Sequence, residues 1–194
     1  RPLSPELRRV HKNAWVSRAV AGWVAPTVDS RRARREPGGV IVFLVRHAHA
    51  IEERRDLSDG ARPLSAVGRD HARELGRRLR WHDCTPTAVW TSPLTRAVMT
   101  AELVCATLEW LGPIDSVPAL APDGRTGEVM AALTALDPTS TVIVFGHEPS
   151  ISALGARLTG DATFAPLAKA QAVRIDGRVV RWRFAHDDEA PGGP

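Results

Sequence analysis

Three arginines and two histidines in this sequence stand where apolar runs end, and their types suit the binding of an anion. Arg46 and His47 close the run Leu44-Val45-Arg46-His47-Ala48-His49-Ala50, and Arg96 lies in Thr91-Ser92-Pro93-Leu94-Thr95-Arg96-Ala97. His147 lies in Phe145-Gly146-His147-Glu148-Pro149-Ser150, and Arg62 opens Arg62-Pro63-Leu64-Ser65. A phosphoryl group needs this set of side chains. Its oxygens take charge-assisted hydrogen bonds, and each guanidinium fork supplies two. Helix starts after Ser92 and His147 would add backbone N–H groups and partial positive charge. A neutral imidazole among such cations can attack phosphorus, because the surrounding charge disfavours its own protonation. Preorganised cations then stabilise the charge that develops on the phosphoryl oxygens.

These residues work together only if the fold brings their segments to one edge. Val40 to Val45 is continuous, β-branched and apolar, as a strand covered on both faces should be, and Thr141 to Phe145 repeats the signature. Ser65 to Trp81 reads as a helix, with Val67, Ala72, Leu75 and Leu79 inward and Arg73, Arg77, Arg78 and Arg80 outward. Thr87 to Thr91 is a short strand, and Ser92-Pro93 opens a helix through about Leu108. Further helices run from Gly127 to Leu136 and from Pro149 to Leu158. Gln171 to Ile175 and Val179 to Phe184 form a hairpin across Asp176-Gly177. Strands alternating with helices predict a three-layer α/β/α sandwich with a mostly parallel central sheet. Sites in such folds form beyond the carboxyl ends of strands, where the five residues fall.

At 194 residues the chain accommodates one substantial core, and 43% apolar with 25% charged residues is a globular composition. The charge is unevenly placed. Residues 1–39 hold nine basic residues against three acidic ones, a balance of +6, so the remainder carries 4 − 6 = −2. The division reads as a basic arm and linker over 1–39, a main domain over 40–185 and a flexible tail over 186–194. Ser4-Pro5-Glu6 would start a helix toward Trp23 within the arm, and Asp29 to Gly39 is an Arg-rich linker. Nucleic acid or an acidic surface would concern only the arm. No run approaches the ~20 apolar residues of a membrane span. The first residues show no apolar core with a cleavage site. Cys84 and Cys105, in no metal-like or redox-like spacing, read as reduced structural thiols, so the expected location is the cytoplasm.

Other chemistries fit less well. His47-Ala48-His49 has the spacing that puts two rings on one side of a strand, but the flanking arginines repel a cation. No phosphate-binding glycine loop with a lysine is present, and Gly146-His147-Glu148 does not form a zinc-binding helix pattern. No metal or organic cofactor is expected.

Arg46-His47, then Ser92-Pro93 with Arg96-Ala97 and Thr100-Ala101-Glu102, then Gly146-His147-Glu148-Pro149 resembles the histidine phosphatase superfamily. The short form, with Arg62-Pro63-Leu64-Ser65 and Gly68 soon after the first motif, looks like the SixA-type phosphohistidine phosphatases. The resemblance spans about Val40 to Phe184. It implies His47 as nucleophile, Arg46, Arg62, Arg96 and His147 as phosphate ligands, and a phosphorylated substrate such as a phosphohistidine-carrying protein. Ala48 replaces the glycine most often found there. The acid that protonates an alcohol leaving group has no clear counterpart. Asp123 is the leading candidate, with Glu52, Asp56 and Glu148 behind it. A labile P–N bond tolerates a weak acid position, whereas an alkyl phosphate loses about 10²–10⁴-fold. The segment between His47 and Arg62 is short and leaves an open site, which suits a protein-borne substrate. The alternatives are a small-molecule phosphomonoesterase, for sugar or nucleotide phosphates, and a non-catalytic phosphate- or protein-binding module.

Overall fold

The computed structural model describes residues 39–188, and the basic arm and the end of the tail lie outside the described residues. Six strands form one sheet: β1 (Ile41–Arg46), β2 (Ala88–Thr91), β3 (Asp115–Ser116), β4 (Thr141–Gly146), β5 (Gln171–Asp176) and β6 (Val179–Ala185). Their order is β3-β2-β4-β1-β5-β6. The three pairings from β3 to β1 are parallel, and β1–β5 and β5–β6 are antiparallel. The hairpin of β5 and β6 therefore closes the antiparallel side of the sheet, with a register shift between Arg174 and Ile175.

Four helices cover the two faces: α1 (Ala66–Trp81), α2 (Thr95–Thr107), α3 (Thr126–Thr134) and α4 (Ser150–Thr159). Alternation along the central strands explains the two layers. Phe43, Val45, Ile143 and Phe145 point to one face and meet Ala72, Leu75, Leu79, Ala101 and Val104 of α1 and α2. Val42, Leu44, Val142 and Val144 point to the other and meet Val129, Leu133, Ile151 and Leu154 of α3 and α4. The expected three-layer α/β/α sandwich is the observed fold. Cys84 and Cys105 are free and buried, and burial pushes both thiols up to about 12. Among the described residues no helix is long and apolar enough to cross a membrane.

Several local expectations need correction. Val67 is not inward but 56% exposed, because the buried stripe of α1 runs Gly68, Ala72, Leu75, Leu79. Helix α2 starts at Thr95 rather than at Ser92-Pro93. The Ser92 hydroxyl accepts from Leu94 N and bonds to His147, so Ser92 and Pro93 form the turn ahead of the helix. The two-residue edge strand β3 is too short to show a periodicity in sequence. The beginning of the expected flexible tail is held down: His186 stacks on His71 with ring centroids 3.5 Å apart, and Asp188 accepts from Ala185 N.

Gly68 matters for the site. Ser65 caps α1 by accepting from Gly68 N, and it also bonds to His49. A Cβ on Gly68 would lie 1.9 Å from the His49 carbonyl oxygen, so only glycine lets α1 approach the chain leaving β1. Gly68→Ala is expected to lower stability by about 1–3 kcal/mol in urea denaturation, because backbone cannot yield as a flexible side chain does.

Candidate active site

β1 and β4 lie side by side in parallel register, with Arg46 opposite Gly146, and His47 N–H donates to Gly146 O at 3.1 Å. The ladder thus continues one step past each strand and places His47 beside His147. Their ring centroids are 4.9 Å apart at 52°, and both side chains are buried.

His47 Nδ1 lies 2.7 Å from Ala48 O. A carbonyl only accepts, so Nδ1 carries the proton and Nε2 keeps its lone pair. The backbone that supplies this carbonyl is fixed from α2: Ala48 N donates to Thr100 Oγ1, whose hydroxyl donates to Arg96 O. Ala48 is fully buried, so the methyl group that departs from the usual glycine is accommodated. Burial lowers His47 to about 4; the Ala48 hydrogen bond opposes this, and Arg96, Arg46 and Lys169 reinforce it. Burial also lowers His147 to about 3, assisted by His47, Arg96 and Arg46 and opposed by Asp59. His147 Nε2 bonds to Ser92 Oγ at 2.8 Å, and its buried Nδ1 has no partner among the described residues.

All three predicted arginines are anchored by protein oxygens. Arg46 Nη1 donates to Leu167 O at 2.8 Å, and its buried Nε has no partner among the described residues. Arg62 Nε donates to Ile51 O at 3.0 Å and its Nη1 to Asp59 Oδ1 at 2.8 Å. Arg96, only 6% exposed, donates from Nη1 to Asp59 O at 2.8 Å and from Nη2 to Asp59 Oδ2 at 3.1 Å. Asp59, in a 3-10 turn spanning Asp59–Ala61, therefore bridges Arg62 and Arg96. Burial alone would raise its carboxyl, but the hydrogen bonds and charges of Arg96 and Arg62 overcome that and hold it below the ordinary carboxylate range.

The structure thus gathers Arg62 and Arg96 on Asp59, and His47, His147, Arg46 and Arg96 near enough for their charges to act on one another. Asp123 is not joined to that cluster by any hydrogen bond or ion pair among the described residues. It lines a cleft with Pro118, Ala119, Gly124, Arg125 and Glu128, in a loop tied to the start of α4 by Ser150 Oγ donating to Pro122 O. Glu148 is committed elsewhere, accepting from Leu167 N and the Ser152 hydroxyl, and Asp56 pairs with Arg54. His49 is exposed and bonded to Ser65, and among the described residues no three His, Cys, Asp or Glu side chains assemble as a metal would require. Sequence reasoning missed Asp59, whose one signal is its spacing three residues before Arg62. Ser92, read from the sequence as a helix start, instead holds His147, and Thr100 holds the Ala48 backbone, a role no sequence signal marks.

The model of the histidine phosphatase superfamily (branch 1) matches residues 42–121. An uncharacterized protein of Picosynechococcus sp. is 32% identical over 113 residues, covering 57% of this chain and 67% of that protein. The chain belongs to the histidine phosphatase superfamily, a family of hydrolases. Among solved structures it is similar to the protein histidine phosphatase SixA complexed with tungstate, at TM-score 0.70 and 28% identity over 75% of this chain and 97% of that one. It also resembles the alpha-ribazole phosphatase of Shigella flexneri, at TM-score 0.56 and 19% identity over 76% and 96% of the two chains. The phosphoglycerate mutase of Plasmodium falciparum is similar at TM-score 0.57 and 17% identity over 81% and 97%. Likeness at these last two identities is likeness of fold, and the fold serves proteins with different substrates.

Both histidines have folded-state values below the ordinary 6.5, so the unfolded chain binds protons first as pH falls. Their contribution to stability is present above about 6.5 and is lost as pH falls toward about 4 for His47 and about 3 for His147. Melting temperature is expected to drop through that window and to drop less in His47→Asn. Imidazole NMR should show neither ring titrating near 6.5, and a midpoint there for His47 would contradict its burial as the neutral form.

Proposed function

We propose that this protein is a phosphatase that hydrolyses protein-borne phosphohistidine through a phosphorylated His47. The observation that carries this reading is the Nδ1 contact of His47 with Ala48 O at 2.7 Å. It leaves Nε2 as a lone pair on a buried, neutral ring beside Arg46 and Arg96, the state a nitrogen nucleophile needs. In the first step Nε2 bonds to phosphorus and the P–N bond of the substrate breaks, its electron pair staying on the leaving imidazole, which takes a proton from solvent. In the second step a water oxygen bonds to phosphorus, the P–Nε2 bond breaks, and phosphate leaves with the water's proton passed to solvent. Arg46, Arg62, Arg96 and the unpartnered Nδ1 of His147 are the donors for the phosphoryl oxygens. With Ser92 donating to Nε2 of His147, Nδ1 holds the hydrogen that such a contact requires.

The substrate class rests on the carboxylates. Asp59 is kept ionised by two arginines and Glu148 is occupied by Leu167 and Ser152, so neither is placed to protonate an alcohol. An imidazole leaving group needs no such donor. The likeness to a structure named as a protein histidine phosphatase supports the same choice. One observation favours a second reading, a small-molecule phosphomonoesterase: Asp123 has no bonding partner among the described residues and sits in a loop tied to α4, free to act as donor. On our reading residues 40–185 form the phosphatase domain, and the two buried free thiols fit a reducing cytoplasm.

The test is phosphate release from a phosphohistidine-carrying protein and from an alkyl phosphate, side by side, with chelator present. Faster release from the protein, abolished in His47→Ala, is expected. Faster release from the ester, with loss in Asp123→Asn, would move the function to the second reading, and full activity of His47→Ala would sink the mechanism. Arg96→Ala should slow release by roughly 10²–10³-fold, the cost of losing one preorganised charge-stabilising group.

A further inference from the structure

We propose that Lys169 is a further phosphoryl-binding residue of this site, an ammonium at its rim that meets the oxygens of the incoming group. This rests on the phosphatase reading above. The chain contains 24 arginines and two lysines, and Lys169 is the lysine among the described residues. It lies on the loop between α4 and β5, and that loop is fastened to the site residues themselves. Leu167 O accepts from Arg46 Nη1 at 2.8 Å, and Leu167 N donates at 2.8 Å to Glu148, the neighbour of His147 in the chain. Ala170 N donates to His47 O at 3.3 Å, and Ala168 N donates to Gln171 Oε1 at 3.0 Å. The backbone on both sides of Lys169 is therefore held in place relative to His47.

Its side chain is treated differently. Arg46, Arg62 and Arg96 all donate to protein oxygens, whereas the exposed Lys169 ammonium has no hydrogen bond or ion pair among the described residues. Its charge nevertheless acts on the His47 ring. Glu148, the carboxylate bonded to the same loop, is already occupied by Leu167 N and Ser152 and so does not neutralise it. An unpaired, rotatable point charge on a backbone fastened, one residue further on, to the carbonyl of His47 is an arrangement that can follow an oxygen arriving from solvent. The three anchored guanidinium forks cannot do this once their geometry is set.

The experiment is calorimetric titration of the full chain with inorganic phosphate at low ionic strength, comparing wild type, Lys169→Met and Lys169→Arg at matched melting temperatures. Methionine keeps the apolar stem and removes the charge; arginine restores it. Phosphate should bind roughly five- to tenfold more weakly to Lys169→Met, as for one exposed charge-assisted contact, and to Lys169→Arg within about twofold of wild type. Added salt should shrink the difference. Equal affinity in wild type and Lys169→Met, equal losses in both variants, or no phosphate binding by the wild type would each overturn the proposal. Phosphate binding that depends on Lys169 in a protein that releases phosphate from no substrate would overturn the phosphatase reading and leave this site standing. His47-dependent turnover with Lys169→Met binding phosphate normally would do the reverse.

Discussion

Like charges packed at one sheet end repel, and the structure around His47 is organised by the need to contain that repulsion. Two guanidiniums, Arg46 and Arg96, stand within charge reach of two imidazoles, and Arg62 joins Arg96 through Asp59. Were the imidazoles also charged, the cost of burying them would multiply. Burial and the neighbouring cations keep both rings neutral, so the same field that would favour an anion also leaves His47 unprotonated, as the proposed mechanism requires. Among the described residues Asp59 supplies the one opposing charge bonded to these groups, shared between Arg62 and Arg96. Backbone carbonyls of Ile51, Asp59 and Leu167 each take one guanidinium N–H, which orients the forks without neutralising them and leaves other N–H groups for an anion.

The second layer of control is the tautomer. Ala48 O decides which nitrogen of His47 is free, Thr100 holds the backbone that carries Ala48, and Ser92 fixes the position of the His147 ring. Ala48 and Ser92 act from the turns that follow β1 and β2, and Thr100 acts from within α2. The rigidity of the site is therefore borrowed from the sheet core, where Val45, Phe145 and Val144 are fully buried.

Much of this was legible in the sequence because the informative features are local. The continuous apolar runs ending at Arg46 and Gly146 identify buried strands, and a strand end followed by Arg-His or His-Glu-Pro is visible without a fold. The inward stripe of α1 was legible in part: Ala72, Leu75 and Leu79 were, but Val67 was assigned inward where Gly68 takes the place, since a glycine carries no apolar signal. Asp59 could not be found in the same way. Its importance comes from a turn that brings it to Arg96, 37 residues away, and neither composition nor periodicity encodes that meeting. The start of α2 was misplaced for a related reason: Ser92 and Pro93 look like a cap and first turn, and only the distant His147 explains why the hydroxyl is used elsewhere.

The spacing of the two histidine rings, 4.9 Å, is close to the ~4.8 Å that separates neighbouring strands in any sheet. Strand pairing thus sets the two residues side by side, and the contacts to Ala48 and Ser92 orient the rings. Loop segments on this edge that carry none of these contacts can change in length or charge while the paired strands stay in register. A scaffold of this kind separates what is done to a phosphoryl group from the choice of molecule that carries it, so new substrates are open to it through changes in its margins alone.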